Sequence, residues 1–191
     1  KRLDVRLSMH PGQFTVLASD SQEIVERSIE EFEYHVNVIR YMGYGQTWQD
    51  FKCNVHISGR QGPAGIKAAL QRLTPEARNT ITIENDENKW GLDASLELEK
   101  DVALVLDIHH HWCNSAGEYI KPTDDRFKRV IDSWRGVRPA IHYSVSREDY
   151  LVDHNNSIAP DHAGLLSEGY KNKSSVPIQI FTGIQQRTIG H

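Results

Sequence analysis

Val102 to Ile108 reads V-A-L-V-L-D-I, six apolar residues in seven. A strand this apolar must be covered on both faces, which places it inside a parallel sheet flanked by helices. The rest of the chain keeps the same rhythm. Further strands are expected at Leu3 to Met9, Lys52 to Ile57, Thr80 to Ile83 and Pro139 to Val145. Between them lie helical stretches at 22–42, 63–73, 93–100 and 123–134. In the first helix Ile24, Val25, Ile29, Phe32, Val36 and Ile39 repeat at three- and four-residue spacing, and Gly43 follows the last turn. Thr123 opens the last one, with two Asp in the first turn, where the helix dipole favours negative charge. Regular strand–helix alternation means an α/β fold with a parallel sheet.

Composition narrows the function. Net charge is −4 over 191 residues, so no global basic field marks a protein that coats nucleic acid. A local cationic groove stays open. No apolar run approaches the roughly 18 residues of a membrane helix, and no partner membrane is expected. Two cysteines, Cys53 and Cys113, cannot staple a chain this long, which suggests a reducing, cytoplasmic setting. The start, Lys1-Arg2-Leu3-Asp4-Val5, has no signal-peptide core and begins directly in strand-like sequence, so the chain is expected to be cut from something longer.

The ten histidines matter for where they fall. Each expected strand ends in a residue type that binds metal: His10, His56, Glu84, Asp107 and His142. In a parallel barrel the C-terminal strand ends share one mouth, so residues far apart in sequence converge. Imidazoles and carboxylates around open positions suit Mn, Zn or Fe, and clustered divalent ions suit phosphoryl chemistry. Of His109-His110-His111, not all can face inward, and periodicity alone does not choose among them. His35 sits beside an apolar helix stripe and is expected to be structural, while His154, His162 and His191 fall in weakly patterned sequence. Asp86 and Glu87 read as solvated, and Cys113 without a partner cysteine is a weak metal signal. Pro11-Gly12-Gln13-Phe14 forms a turn at the rim. There an amide beside an aromatic ring can wedge into a base stack, unless Phe14 packs under the following helix. Arg60, Lys89, Lys121, Arg138 and Arg147 lie after strands and could form a phosphate-binding collar.

Five segments carry a resemblance: SMHPGQF at 8–14, NVHISG at 54–59, IEND at 83–86, LDIHHHWCN at 106–114 and IHYSVSR at 141–147. In this order they closely resemble the UV damage endonuclease family. The resemblance implies a TIM-type (βα) barrel of the xylose isomerase-like kind, here incomplete, with about five strands. It implies up to three divalent ions, often Mn2+, held by His10, His56, Glu84, Asp107, His110 and His142. It selects His110 from the triplet and gives Glu84, Asp107 and His110 the catalytic roles. It makes Gln13 and Phe14 the pair that probes the lesion. The implied activity is hydrolysis of the phosphodiester immediately 5′ of a cyclobutane dimer or 6-4 photoproduct, on damaged double-stranded DNA, by a monomer.

Three departures stand beside it. Ala140 occupies a position where family members often carry a modified Lys. Two strands that precede residue 1 in the family, with a further histidine, are missing. The family's next segment, resembling RAHSDFYWN, is absent after the fifth strand. Shifted by one base, however, codons for Val176 to Ile184 can encode AHSDFYWN. The division expected is therefore a partial barrel domain at 1–173 and an aberrant, poorly ordered tail at 174–191. Two other functions fit such a chain: an abasic-site endonuclease or sugar isomerase on a related barrel, which a Lys base near the metals would favour, or an inactive metal-binding fragment.

Overall fold

The structure is a computed structural model that describes residues 5–12 and 14–143. Five strands lie side by side in chain order: β1 (Ser8–Met9), β2 (Lys52–His56), β3 (Ile81–Glu84), β4 (Ala103–Asp107) and β5 (Ile141–His142). All four neighbouring pairs are parallel. Six helices occupy the connections: α1 (Gln22–Tyr41), α2 (Gly62–Leu70), α3 (Pro75–Thr80), α4 (Leu92–Leu96), α5 (Ile108–Asn114) and α6 (Asp125–Asp132). Strand order that follows sequence order is the winding of a (βα) barrel, whereas doubly wound sheets reverse theirs.

The sheet is strongly curved. In a flat sheet β2 and β5 would stand about 14 Å apart, three strand spacings. Here Lys52 of β2 and His142 of β5 touch, with Nζ 3.2 Å from Nε2. The sheet is an incomplete, curled (βα) barrel.

Side-chain alternation divides its two faces. Met9, Cys53, Val55, Ile81, Ile83, Leu104, Leu106 and Ile141 join one apolar core with the helices. The opposite, concave face carries Lys52, Asn54, His56, Thr82, Glu84, Asp107 and His142, tied together by hydrogen bonds and charge pairs. The continuous apolar run expected of a buried strand is therefore found in β4 alone. K-C-N-V-H and I-T-I-E alternate, because their inner face is a polar ladder rather than packing. A second, small cluster at Ala103, Val105 and Trp134 fills the inner side below that ladder.

Helix α1 buries Ile29, Phe32, Val36 and Ile39 but leaves Ile24 exposed. Its end is a Schellman motif: Tyr44 donates to the Ile39 carbonyl, and Gly43, at φ +82°, to that of Arg40. Helix α6 starts at Asp124, whose carboxylate accepts from the Arg126 amide at 2.8 Å, one residue beyond the expected Thr123. After it, Ser133 Oγ accepts from the Leu104 amide and Trp134 Nε1 donates to the Leu104 carbonyl. These two side chains satisfy the edge of β4 below the point where β5 begins to pair.

Boundaries moved where neighbours decide them. β1 is a two-residue edge strand, although Lys52 still donates to the Leu7 carbonyl. Thr80 ends α3 instead of opening β3, with its hydroxyl bonded back to the Glu76 carbonyl. Helix α4 stops at Leu96, short of the expected 100. Residues Lys1–Asp4, Gln13, the end of the fifth expected strand, Arg147, His154, His162, His191 and the tail at 174–191 lie outside the described residues. No helix among the described residues is long and apolar enough to cross a membrane.

Candidate active site

Glu84 ends β3 with its carboxylate at the centre of the barrel mouth, 1% exposed. Its Oε1 accepts from His142 Nδ1 at 2.8 Å and lies 3.7 Å from His110 Nδ1. Its Oε2 accepts from the Asn54 amide and lies 3.8 Å from His56 Nε2 and 3.9 Å from His10 Nε2. Asp107 joins through Oδ2, 3.8 Å from His142 Nδ1. All six candidate ligands from five separate strand ends thus meet around one carboxylate. They fall into three overlapping groups, His10–His56–Glu84, His56–Glu87–His110 and Glu84–Asp107–His142, each with its donor atoms within 4.8 Å of one another.

Local structure aims each one. The Asp107 side chain caps α5 by accepting from the His110 amide at 2.9 Å through Oδ1, which leaves Oδ2 to the site. Helix formation right after Asp107 resolves the triplet. His110 turns to the mouth and donates from Nδ1 to the Asn85 carbonyl at 2.9 Å. His109 stacks on Trp112 and lies 3.6 Å from Cys113 Sγ, and His111 turns towards Glu118 at 3.4 Å. His10 donates from Nδ1 to the Pro11 carbonyl at 2.7 Å. Asn85 clasps the ends of β3 and β4, accepting from the Asp107 amide and donating to its carbonyl. Thr82 holds the Asn54 amide oxygen at 2.7 Å, so that the amide nitrogen faces Glu84.

The electrostatics follow from burial and charge. Burial alone would raise the Glu84 carboxyl, but the His142 hydrogen bond and the surrounding imidazoles hold it down at about 2. Asp107 is shifted upwards, by burial and by Glu84 against the pull of His110. Burial pushes His56 down, which favours its neutral, ligand-ready form. Burial opposes protonation of His110 as well, yet the Asp107 and Glu84 carboxylates outweigh it and raise the ring. Lys52, 8% exposed, is lowered to about 8 by burial against the attraction of Glu84, so it remains an ammonium at neutral pH.

The donor set fits metal ions. With Nδ1 of His10 and His110 given to carbonyls, each Nε2 presents a lone pair. His10 Nε2 faces Glu84 Oε2 at 3.9 Å, and His110 Nε2 faces Glu87 Oε2 at 3.7 Å. With neutral rings, acceptor opposite acceptor repels unless a proton or a metal ion lies between, and two ligands each about 2.1 Å from one ion stand up to about 4.2 Å apart, which these spacings suit.

Sequence reasoning missed three residues here. Glu87, set aside as solvated, reaches His110 because the chain turns just past β3. Lys52 and Asn54 were hidden as ordinary strand residues, although their period-two spacing with His56 was the available signal. Ala140 is partly buried against the Trp134 cluster. Beside Pro11 and Gly12 of the rim turn lies a cleft of about 250 Å3, lined also by His10, His56, Asp86, Glu87 and His110. Phe14 is 82% exposed and does not pack beneath α1. Of the expected basic collar, Arg60 pairs with Asp20 at 3.4 Å, Lys89 lies over the Trp90 ring, and Lys121 is exposed.

Comparison with known proteins gives a consistent picture. Residues 1–182 match the family described as UV-endonuclease UvdE. A UV DNA damage endonuclease of Bacillus velezensis is 26% identical over 161 residues, covering 80% of this chain and 49% of that protein. The crystal structure of SacUVDE aligns with a TM-score of 0.62 at 28% identity, over 75% of this chain and 49% of that one. Endonuclease IV from Thermus thermophilus shares the fold, with a TM-score of 0.51 at 16% identity over 73% of this chain and 53% of that one. The chain spans about half the length of the curated relatives it matches.

Proposed function

Because this chain belongs to the UV-endonuclease UvdE family, we propose that it carries the metal-binding mouth of a DNA repair endonuclease. The substrate is damaged double-stranded DNA, and the bond hydrolysed is the phosphodiester immediately 5′ of a cyclobutane dimer or 6-4 photoproduct. The observation that carries this reading is the convergence of imidazole and carboxylate ligand atoms at Glu84 and Glu87 into three groups spaced as shared metal ligands are. The ligands are His10, His56, Glu84, Asp107, His110 and His142, up to three ions bind, and Mn2+ is the metal. Divalent ions held there supply activation of the attacking water and neutralisation of charge on the phosphate.

The chain's own residues set the stage. Glu84 is shared by two of the three groups and fixes their spacing. His110 is oriented by Asn85 and favoured as a cation by the Asp107 and Glu84 carboxylates; its Nε2, towards Glu87, is the atom that would exchange a proton for an ion. Asp107 keeps Oδ2 free by spending Oδ1 on its helix. Phe14, already outside the core, offers its ring as a stacking surface for a disrupted base step, with Gln13 beside it to read base edges. The enzyme acts as a monomer.

Lys52 bears on the isomerase and abasic-site alternatives. It sits among the ligands, but below them, buried and bonded to His142, and it does not line the cleft. It is therefore not placed to act as a base on a sugar. A nicking assay on UV-irradiated, untreated and abasic plasmid, with Mn2+ and with chelator, tests the assignment. Metal-dependent nicking of irradiated DNA alone is expected. Nicking confined to abasic DNA would transfer the chain to the second class, and bound Mn2+ without nicking to the third. Phe14→Ala should lose discrimination between irradiated and untreated DNA; equal loss on both would remove it from lesion probing.

A further inference from the structure

The hydrogen bonds of His142 leave it no lone pair for a metal. Its Nδ1 faces the ionised Glu84 carboxylate at 2.8 Å, and a carboxylate only accepts, so Nδ1 carries the proton. Its Nε2 faces the Lys52 Nζ at 3.2 Å, and an ammonium only donates, so Nε2 carries the lone pair. To ligate through Nδ1, within the Glu84–Asp107–His142 group, the ring must move its proton to Nε2. That proton would then point at an ammonium, donor against donor.

We propose that Lys52 is a resident cation that competes with the metal at the Glu84–Asp107–His142 position and makes it the last and weakest of the three to fill. This rests on the metal-binding reading given above. The placement is built for competition. Lys52 stands two residues before Asn54 and four before His56, on the same inner face of β2, one layer beneath the ligands. It is almost fully buried, and its charge is balanced by the same Glu84 carboxylate that an ion would use. Among the described residues, the positions built on His10, His56, Glu87 and His110 have no such competitor within hydrogen-bond reach. The enzyme would therefore hold two ions firmly, with the third exchanging against a protein charge.

Charge and packing are separated by three variants. Lys52→Gln removes the charge and offers an amide oxygen that can accept from Nε2–H. Lys52→Met removes the charge and the donor to Nε2 without offering an acceptor oxygen, and Lys52→Arg keeps both charge and donor. The metal-stripped chain is titrated with Mn2+ at one fixed pH, and the free ion is followed by its electron paramagnetic resonance signal. Wild type and Lys52→Arg should show two tight sites and one weak site. In Lys52→Gln and Lys52→Met the weak site should tighten about tenfold or more, as expected for removing one unit charge from beside a divalent ion. Adding His142→Ala to Lys52→Gln should abolish the gain. Unchanged or weaker third-site binding in both neutral variants, or a gain that survives His142→Ala, overturns the proposal alone. Absence of Mn2+ binding by wild type and Lys52→Gln alike overturns it together with the metal-binding reading.

Discussion

Substituting Glu84 by Gln gives an isosteric stand-in for a carboxyl that is protonated at every pH. In the folded chain the wild-type group is held at about 2, against an ordinary 4.5. A difference of this size, at about 1.4 kcal/mol per pH unit, makes the ionised carboxylate worth on the order of 3 kcal/mol to the fold. The folded value is depressed, so the contribution is complete above the ordinary value and is lost as pH falls towards about 2. Urea unfolding followed by circular dichroism, with chelator present throughout, measures the stability of both proteins from pH 5 downwards. Burial holds His56 below ordinary histidine titration, and losing Glu84 removes a charge that favours protonated His56 and His110, so the ring protons of both proteins are followed by NMR over the same range. The stability gap should be widest near pH 5 and close steadily towards pH 2.5. A gap that stays constant across this range would refute the view that the imidazole cage stabilises the ionised form of Glu84.

Two further substitutions test local claims. His110→Ala should weaken Mn2+ binding by about 10- to 100-fold or more, while His109→Ala should lower stability and leave binding intact; calorimetric titration of both decides which histidine faces the mouth. Gly59→Ala should cost about 2 to 4 kcal/mol in urea unfolding, because the backbone there is at φ +100° and an added Cβ would lie 2.3 Å from the Ala18 carbonyl oxygen. A loss below about 0.5 kcal/mol would mean that this turn yields.

The barrel and its mouth were legible because two independent signals coincide. The run at 102–108 demands cover on both faces, and ligand-type residues recur where each strand stops. What stayed hidden depended on contacts across the chain. Helix α3 is Pro-Glu-Ala-Arg-Asn-Thr, too short and too polar for an apolar stripe; it is held by the Thr74 cap and its packing on α1. The histidine triplet could not be sorted by strand periodicity, since α5 begins within it and changes the period from two to 3.6. Lys52 looked like an ordinary strand start, and only the curl of the sheet brings His142 to it from 90 residues away. The partial-barrel and tail division at 173 depends on the coding DNA, where a single-base shift restoring the missing motif would support it.

Asp107 gives one oxygen to the first turn of α5 and the other to the mouth. Its replacement is therefore never a simple ligand deletion, because the helix that aims His110 frays along with it. With a cation bound as proposed, its occupancy and the integrity of that turn should rise and fall together. Slowed solvent exchange of the His110 amide thus becomes a reporter of ion loading that needs no DNA and no turnover.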